Sequence, residues 1–225
     1  MEDSNNNNNG YKVVLLGESE VGKDEIISSI TNTSFFDQNS INSQSSHFII
    51  NTLCFPDGKF VNLEIWNTAG QEKFRPLAKI YYKDAKVVIL IYDITSKKSF
   101  TELKQYLYEQ VKLYGRKDVI FAICANKMEY YQSLQVTEQE GKEFAKSIGA
   151  GFFCTSSLSN AGIDNMLENI GKKLLDPNYD FYEDENKIKE EYERKKKERM
   201  YLEEKLKKEK NKKNMENKKN KCIIY

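Results

Sequence analysis

The chain has 225 residues, of which 39% are hydrophobic and 31% are charged, and its formal net charge is +1. That composition supports one globular domain with a core, plus additional segments. No apolar run approaches the roughly 20 residues of a membrane-spanning helix, and no secretory signal is visible. The four cysteines show neither metal-ligand nor disulfide spacing, so we expect a cytosolic protein. Cys54, Cys124 and Cys154 lie in apolar strand-like runs, so we expect their thiols to be buried.

The first structured segment follows an Asn-rich start over residues 1–9, which we predict to be disordered. Residues 11–16 form a short apolar run rich in β-branched residues, typical of a buried parallel strand. A glycine loop follows over residues 17–24, and isoleucines between residues 23 and 32 then recur at helical spacing. Strand, loop and helix together predict a phosphate site, because the loop and the helix N-terminus present backbone N–H groups to an anion.

The loop departs from the phosphate-binding pattern at its last residue. It reads Gly-Glu-Ser-Glu-Val-Gly-Lys-Asp, whereas the pattern G-x-x-x-x-G-K ends in Ser or Thr. Lys23 is expected to reach the outer phosphates of a nucleotide. Asp24 replaces the hydroxyl, so we expect altered metal chemistry. The loop residues expected to contact phosphate are Glu20, Val21, Gly22, Lys23 and Asp24.

Strand-like and helical stretches alternate between residues 10 and 176. The predicted strands are residues 11–16, 48–55, 60–66, 87–92, 119–125 and 151–155, and the predicted helices are residues 23–32, 98–113, 137–148 and 162–174. The turn Pro56-Asp57-Gly58 joins the second and third strands as a hairpin. The other connections predict βα repeats, and hence an α/β fold whose mostly parallel six-stranded sheet has helices on both faces. Ligands of such sheets bind beyond the carboxyl ends of the strands.

The composition changes again after the predicted domain of residues 10–176, and residues 177–225 form a charged tail. Between Lys205 and Lys221, nine lysines outnumber two glutamates, a net charge of +7. The chain ends in Cys222-Ile223-Ile224-Tyr225, which has the C-a-a-X form of a prenylation signal, although tyrosine is not among the usual last residues. One interpretation is a lipid on Cys222 that acts with the basic segment at a membrane. The other is an unmodified, solvated tail.

The third predicted strand runs into Trp66-Asn67-Thr68-Ala69-Gly70-Gln71-Glu72, and there the chain resembles the small GTPases, and within them the Rab family. Further Rab-like stretches are Tyr81-Tyr82-Lys83-Asp84-Ala85 and Leu90-Ile91-Tyr92-Asp93-Ile94-Thr95. The resemblance covers about residues 11–175 and leans toward early-endosomal Rabs. It implies the P-loop GTPase fold and a switch that binds GTP or GDP with Mg²⁺.

The resemblance also implies which residues bind the nucleotide. The guanine would be held by Phe35, Asn126, Lys127, Glu129, Ser156 and Ser157. Lys127 would stack on one face of the base and Phe35 would cover the other. Glu129 stands where the family has Asp, and Leu158 stands where it has Lys. Gly70 would contact the phosphates, and Gln71 occupies the position that orients the attacking water, as the catalytic residue.

The implied metal ligands are Asp24, Ser43 and Asn67. In the family, a loop hydroxyl binds Mg²⁺ directly and a carboxylate after the third strand binds it through water. Here the hydroxyl has become Asp24 and the carboxylate has become Asn67, so the formal charge of the pair is unchanged. An oxygen-seeking cation is expected to accept Asp24, but the same carboxylate would repel the β-phosphate.

The implied partners are those of a Rab. Phe48, Trp66 and Tyr81 match the family's aromatic effector triad, although packing between strands is the other interpretation. We expect effectors, an exchange factor, a GTPase-activating protein and the cytoplasmic face of endomembranes, and no nucleic acid. Two hypotheses stay open: a vesicle-trafficking switch that hydrolyses GTP slowly, and a pseudo-GTPase that holds nucleotide in one state, or none, as a membrane-associated scaffold.

Overall fold

The computed structural model of the protein describes residues 10–33, 48–68 and 75–183. The chain divides into two compact units, Met1–Phe181 and Tyr182–Tyr225. The described residues lie almost entirely in the first unit. Within these ranges, none of the helices combines the length and apolar character that crossing a membrane requires.

Six strands form one sheet in the order β2-β3-β1-β4-β5-β6. They are β1 (Tyr11–Leu16), β2 (Phe48–Cys54), β3 (Phe60–Asn67), β4 (Val87–Asp93), β5 (Ile120–Asn126) and β6 (Gly151–Cys154). Only β2 runs antiparallel, paired with β3 through the predicted hairpin. The predicted mostly parallel, six-stranded α/β fold is therefore confirmed, and the observed strand ends differ from the predicted ends by at most one residue.

The helices flank this sheet. They are α1 (Lys23–Thr33), α2 (Arg75–Tyr82), α3 (Lys97–Glu102), α4 (Tyr108–Tyr114), α5 (Glu138–Ser147) and α6 (Ile163–Leu175). A π-helical turn, Leu103–Leu107, joins α3 to α4, and a 3₁₀ helix spans Met128–Ser133. The sequence did not predict α2 or the 3₁₀ helix. Both are short, at eight and six residues, and both expose large apolar side chains, Ile80 in the first and Tyr130 and Tyr131 in the second. Neither is long enough to show the repeated apolar spacing from which a helix is predicted.

The sheet has a core on each face, because β4 is buried along its whole length. On one face, α1 and α6 pack Ile26 and Ile170 against strand residues such as Leu15. On the other, Phe100 packs on Tyr92 with ring centroids 4.8 Å apart. Helices on both faces leave the carboxyl ends of the strands as the open edge, where ligands bind in such sheets.

The cysteines differ in burial. Cys124 is buried and Cys154 is half-buried, as their apolar strands predict. Burial raises the pKa of the Cys124 thiol to about 12 and that of Cys154 to about 11. The sequence also predicted a buried Cys54, but this residue is exposed. It lies on the outward face of β2, opposite the exposed Phe60 of β3.

Packing continues beyond α6. The Phe181 ring meets Phe153 of β6 edge-on, with centroids 6.0 Å apart. Lys173 donates from Nζ to the backbone oxygens of Pro177 and Tyr179, at 2.8 and 2.7 Å. These contacts attach the chain after α6 to the domain as far as Phe181.

Candidate nucleotide-binding site

The phosphate loop, residues 17–24, is closely packed at two glycines. A Cβ atom on Gly17 would lie 2.7 Å from the backbone oxygen of Ile91 in β4. Gly22 has φ = +95°, and a Cβ atom there would collide with the side-chain amide nitrogen of Asn126. Glycine is required at both positions because the loop runs directly against β4 and the end of β5.

Lys23 lies at the centre of this loop and is only 6% exposed. Its ammonium donates to the backbone oxygens of Gly17, at 3.1 Å, and Glu18, at 2.7 Å. Burial lowers the pKa of Lys23 below its ordinary value, and the carboxylates of Asp24, Glu25 and Glu18 act in the opposite direction. The loop therefore curls around a single buried cation, the arrangement expected for a phosphate-binding lysine.

Asn126, at the end of β5, is fully buried and links three parts of the site. Its amide nitrogen donates to the backbone oxygen of Val21, at 2.9 Å, and to Ser157 Oγ, at 3.4 Å. Its amide oxygen accepts from Thr155 Oγ1 at 3.0 Å. An amide both donates and accepts, so Asn126 joins the phosphate loop to the loop after β6, which carries Ser156 and Ser157, two more of the residues predicted to bind guanine.

Lys127 follows Asn126 in a left-handed conformation, with φ = 69°. Its ammonium lies 2.7 Å from Asp93 Oδ2 at the end of β4. Asp93 Oδ1 accepts from the backbone nitrogen of Thr95, at 2.8 Å, and from its hydroxyl, at 2.7 Å. Burial acts to raise the pKa of Asp93, but the hydrogen bonds from Lys127 and Thr95 outweigh it, so the pKa lies below its usual value. The ion pair holds Lys127 beside Asn126.

Glu129 offers an unsatisfied acceptor on the same side of the site. Its Oε2 atom is buried and has no hydrogen-bond partner. Such an atom suits a ligand with N–H donors, because a buried acceptor left without a donor is costly.

The loop after β6 carries the serines predicted to bind guanine. Ser156 is buried, and the backbone oxygen of Ser157 accepts from Ser29 Oγ of α1 at 3.1 Å. Leu158, next in the chain, is 76% exposed.

Asp24 and Asn67 are in direct contact. The side-chain nitrogen of Asn67 donates to Asp24 Oδ1, and Asn67 Oδ1 is buried without a hydrogen-bond partner. They meet because β3 pairs with β1 in the register Leu15↔Asn67, which brings the end of β3 beside the phosphate loop. Thr68 strengthens this junction by donating from Oγ1 to the backbone oxygen of Leu15 at 2.7 Å.

This pair fits Mg²⁺ as part of a shared site. Across the described ranges, no cluster of three or more His, Cys, Asp or Glu side chains is arranged to hold a metal ion. Mg²⁺ usually takes one or two carboxylates and completes its shell with substrate phosphates and water. Asp24 supplies such a carboxylate, and the orphaned oxygen of Asn67 supplies an acceptor for a metal-bound water.

The three aromatic residues predicted to bind effectors lie together. Phe48 stacks on Trp66 with ring centroids 4.7 Å apart, and Trp66 lies 6.1 Å from Tyr81. The register of the hairpin pairs Phe48 with Trp66 directly. Lys12 of β1 covers the Trp66 ring, its Nζ 4.9 Å from the centroid. All three aromatic residues are half-buried, so part of each ring faces solvent.

The structure describes most of the predicted site residues but not all of them. Those outside the described ranges are Phe35, Ser43, Gly70, Gln71 and Cys222. Two residues that the sequence analysis gave no role, Asp93 and Thr155, hold Lys127 and Asn126 in place. Both are polar residues at or just after the carboxyl end of an apolar strand, which is the signal that singles them out.

Comparison with known proteins gives a consistent set of matches. A model of the Ras family matches residues 12–176. The chain is 37% identical over 166 residues to the Ras-related protein Rab-21 of Bos taurus, covering 74% of this chain and 73% of that protein. Rab-21 of Homo sapiens is also 37% identical, with 74% and 72% covered. The Ras-related protein RabJ of Dictyostelium discoideum is 35% identical, with 73% and 63% covered.

Proposed function

This chain belongs to the Rab small GTPases of the Ras superfamily, and we propose that it acts in vesicle trafficking as a switch that binds GTP and GDP with Mg²⁺. The observation that carries the proposal is the bond from Asn126 to the backbone oxygen of Val21. It connects the residue proposed to bind guanine with the loop proposed to bind phosphate, so both ends of one nucleotide meet a single connected network.

Each part of this network has a chemical role in the proposal. Lys23 attracts the outer phosphates, and the backbone N–H groups of the loop and of α1 orient them. Glu129 presents an acceptor to the guanine edge, Asn126 joins that side of the site to the phosphate loop, and Lys127 stacks on the base, oriented by Asp93. Bound Mg²⁺ would neutralise negative charge on the β- and γ-phosphates. Asp24 would hold the metal and Asn67 would position Asp24 through the hydrogen bond between them.

We further propose slow GTP hydrolysis, with Gln71 orienting the attacking water. Ser43 is the proposed sensor of the γ-phosphate, which would order the switch loops for effector binding. The stacked Phe48 and Trp66 rings, with Tyr81, form the proposed docking surface. The proposed setting is the cytoplasmic face of endomembranes, and an exchange factor and a GTPase-activating protein would act on the switch.

Guanine selectivity tests this proposal. Purified full-length protein should bind GTP and GDP with Mg²⁺, and ATP should compete poorly because adenine offers Glu129 the wrong hydrogen-bonding groups. Competition against a fluorescent guanine nucleotide measures the preference. Glu129→Gln should reduce the preference for GTP over ATP, whereas Glu109→Gln on α4 should leave it unchanged. Equal affinity for GTP and ATP, or no binding to either, would contradict the proposal.

A second candidate is the pseudo-GTPase scaffold, and the contact between Asp24 and Asn67 favours it specifically. The Asn67 amide donates to the same carboxylate that the switch proposal assigns to the metal, so Asp24 has a hydrogen-bond donor without a cation. The nucleotide content of the purified protein separates the candidates. A switch carries GDP and hydrolyses added GTP, whereas a scaffold carries one nucleotide that it does not turn over, or none.

A further inference from the structure

The phosphate loop and the first turn of α1 carry more negative than positive charge. Residues 17–25 contain one cation, Lys23, and the four carboxylates Glu18, Glu20, Asp24 and Glu25, a net charge of −3. The ligand proposed for this loop is a polyphosphate, which is itself strongly negative. Because like charges at short range repel, the side-chain charge acts against the ligand that the backbone is shaped to hold.

The carboxylates differ in how far their charge is offset. Glu18 accepts a hydrogen bond from the Lys98 ammonium, so its charge has a counterion. Glu25 lies in the first turn of α1, where the helix dipole stabilises it. Asp24 accepts a hydrogen bond from the Asn67 amide, which is neutral and so does not offset the negative charge of Asp24. Glu20 is exposed, and no lysine or arginine in the described ranges forms an ion pair with it.

Glu20 also occupies a constrained point of the loop. Its φ of +66° lies in the left-handed region, which normally favours glycine. The next two residues, Val21 and Gly22, are buried against Asn126 and fix the path of the chain. The loop therefore keeps a negatively charged side chain next to the backbone groups proposed to bind phosphate.

We propose that the negative charge of this loop, and of Glu20 in particular, weakens nucleotide retention, so that the switch replaces GDP with GTP by intrinsic exchange before any exchange factor acts. The inference rests on the proposed function and adds a mode of regulation to it. Asp24 can share a cation with the phosphates, which turns its repulsion into attraction. Glu20 has no such partner, so its repulsion persists in the metal-bound state.

Release of a fluorescent GDP, N-methylanthraniloyl-GDP, into excess unlabelled GDP tests this on the full-length protein over a series of Mg²⁺ and NaCl concentrations. Glu20→Gln removes the charge and keeps the Cβ atom, so the backbone conformation is preserved. We expect it to slow release about tenfold at low salt. The difference in release rate between wild type and Glu20→Gln should shrink as the NaCl concentration rises, because salt screens exposed charges. Chelating Mg²⁺ should accelerate release from both proteins.

The matched control is Glu109→Gln, which makes the same change in net charge on the exposed surface of α4 and should release GDP at the wild-type rate. Equal release from wild type and Glu20→Gln at every Mg²⁺ concentration would overturn the inference and leave the proposed function standing. Failure of every variant to bind GDP or GTP would refute the proposed function and this inference with it.

Discussion

At the scale of single residues, buried side chains of this site use both their hydrogen-bond donors and their acceptors. Thr155 donates from Oγ1 to Asn126 Oδ1 at 3.0 Å, and its hydroxyl lies 3.1 Å from Cys124 Sγ. Both Thr155 and Asn126 are buried, at 1% and 0% exposure. Without the hydroxyl, the oxygen of Asn126 would lose its donor in a site closed to water, and the amide would lose its fixed orientation.

We therefore expect Thr155→Val, which keeps the side-chain shape, to lower the free energy of unfolding by about 1–3 kcal/mol. Guanine-nucleotide affinity should fall as well, because Asn126 is no longer held toward Val21. Urea unfolding and nucleotide titration measure the two effects. Thr101→Val, on the exposed surface of α3, is the control and should change the affinity little. Wild-type affinity in Thr155→Val would show that Asn126 needs no positioning.

The Asp24–Asn67 pair permits a second residue-scale prediction, because directly bonded side chains are expected to be energetically coupled. Asp24→Ser alone leaves the site with neither carboxylate and should weaken Mg²⁺-dependent nucleotide binding. Asp24→Ser combined with Asn67→Asp should restore a family-like site and raise GTP hydrolysis. Nucleotide affinity with and without Mg²⁺, measured on both single variants and the double variant, gives the coupling. If Asp24→Ser by itself improves nucleotide binding as much as the double change does, the hypothesis that Asp24 has taken over the metal-binding carboxylate from position 67 is wrong.

At the scale of elements, the ends of neighbouring parallel strands build the side of the site that is proposed to bind guanine. β4 supplies Asp93, β5 supplies Asn126 and the following Lys127, and Thr155 follows β6. The order β4-β5-β6 in the sheet makes these chain-distant residues neighbours. The pair of Asp93 with Lys127 thus ties two strand ends together, and it is the clearest source of pH dependence here.

Asp93 has a folded-state pKa below its ordinary value of 3.8. Its stabilising contribution is therefore fully present above that ordinary value and is lost as the pH falls through the folded-state pKa. We expect Asp93→Asn to be less stable than wild type at neutral pH, with the difference narrowing below about pH 4. Chemical unfolding from pH 7 to pH 3 measures this. A difference that is constant across that range would exclude the carboxylate as its cause.

At the scale of the whole molecule, the domain is proposed to act at a membrane through its tail. A single lipid chain gives only marginal, reversible attachment, and each lysine near an anionic leaflet adds about 1 kcal/mol. The +7 segment between Lys205 and Lys221 would supply the second signal. Residues as far as Phe181 pack on the domain. A lipid on Cys222 would therefore attach the domain to the membrane through the residues that follow Phe181.

We predict that Cys222→Ser moves the protein from endomembranes to the cytosol. Replacing the lysines between residues 205 and 221 with glutamine should weaken attachment without preventing lipidation. Cell fractionation measures the distribution, and mass spectrometry of the C-terminal peptide reports the modification. Cys54→Ser, which removes the exposed cysteine of β2 instead, is the control and should stay on membranes. An unmodified C-terminal peptide in membrane-bound protein would rule out the lipid.

The sequence alone determined the strands, most of the helices and the phosphate loop, because each is specified by a local pattern. β-branched apolar runs marked the strands, and glycine spacing marked the loop. The resemblance carried by these motifs identified the family, and the matches to the Ras family and to Rab-21 confirm it. Asn126, Lys127 and Glu129 were predicted as neighbours in one short motif.

Only the tertiary structure decided which side chains meet. Asn126 bonds to Val21 across 105 residues, and Asn67 bonds to Asp24 across 43. Both contacts depend on strand order and register, which bring together residues that no local pattern relates. The exposed Cys54 likewise follows from the outward face of β2 in the assembled hairpin. Local sequence fixes the conformation of each element. Contacts between elements depend on packing the whole sheet, because apolar side chains become buried and polar groups find their hydrogen-bond partners only when the strands and helices come together.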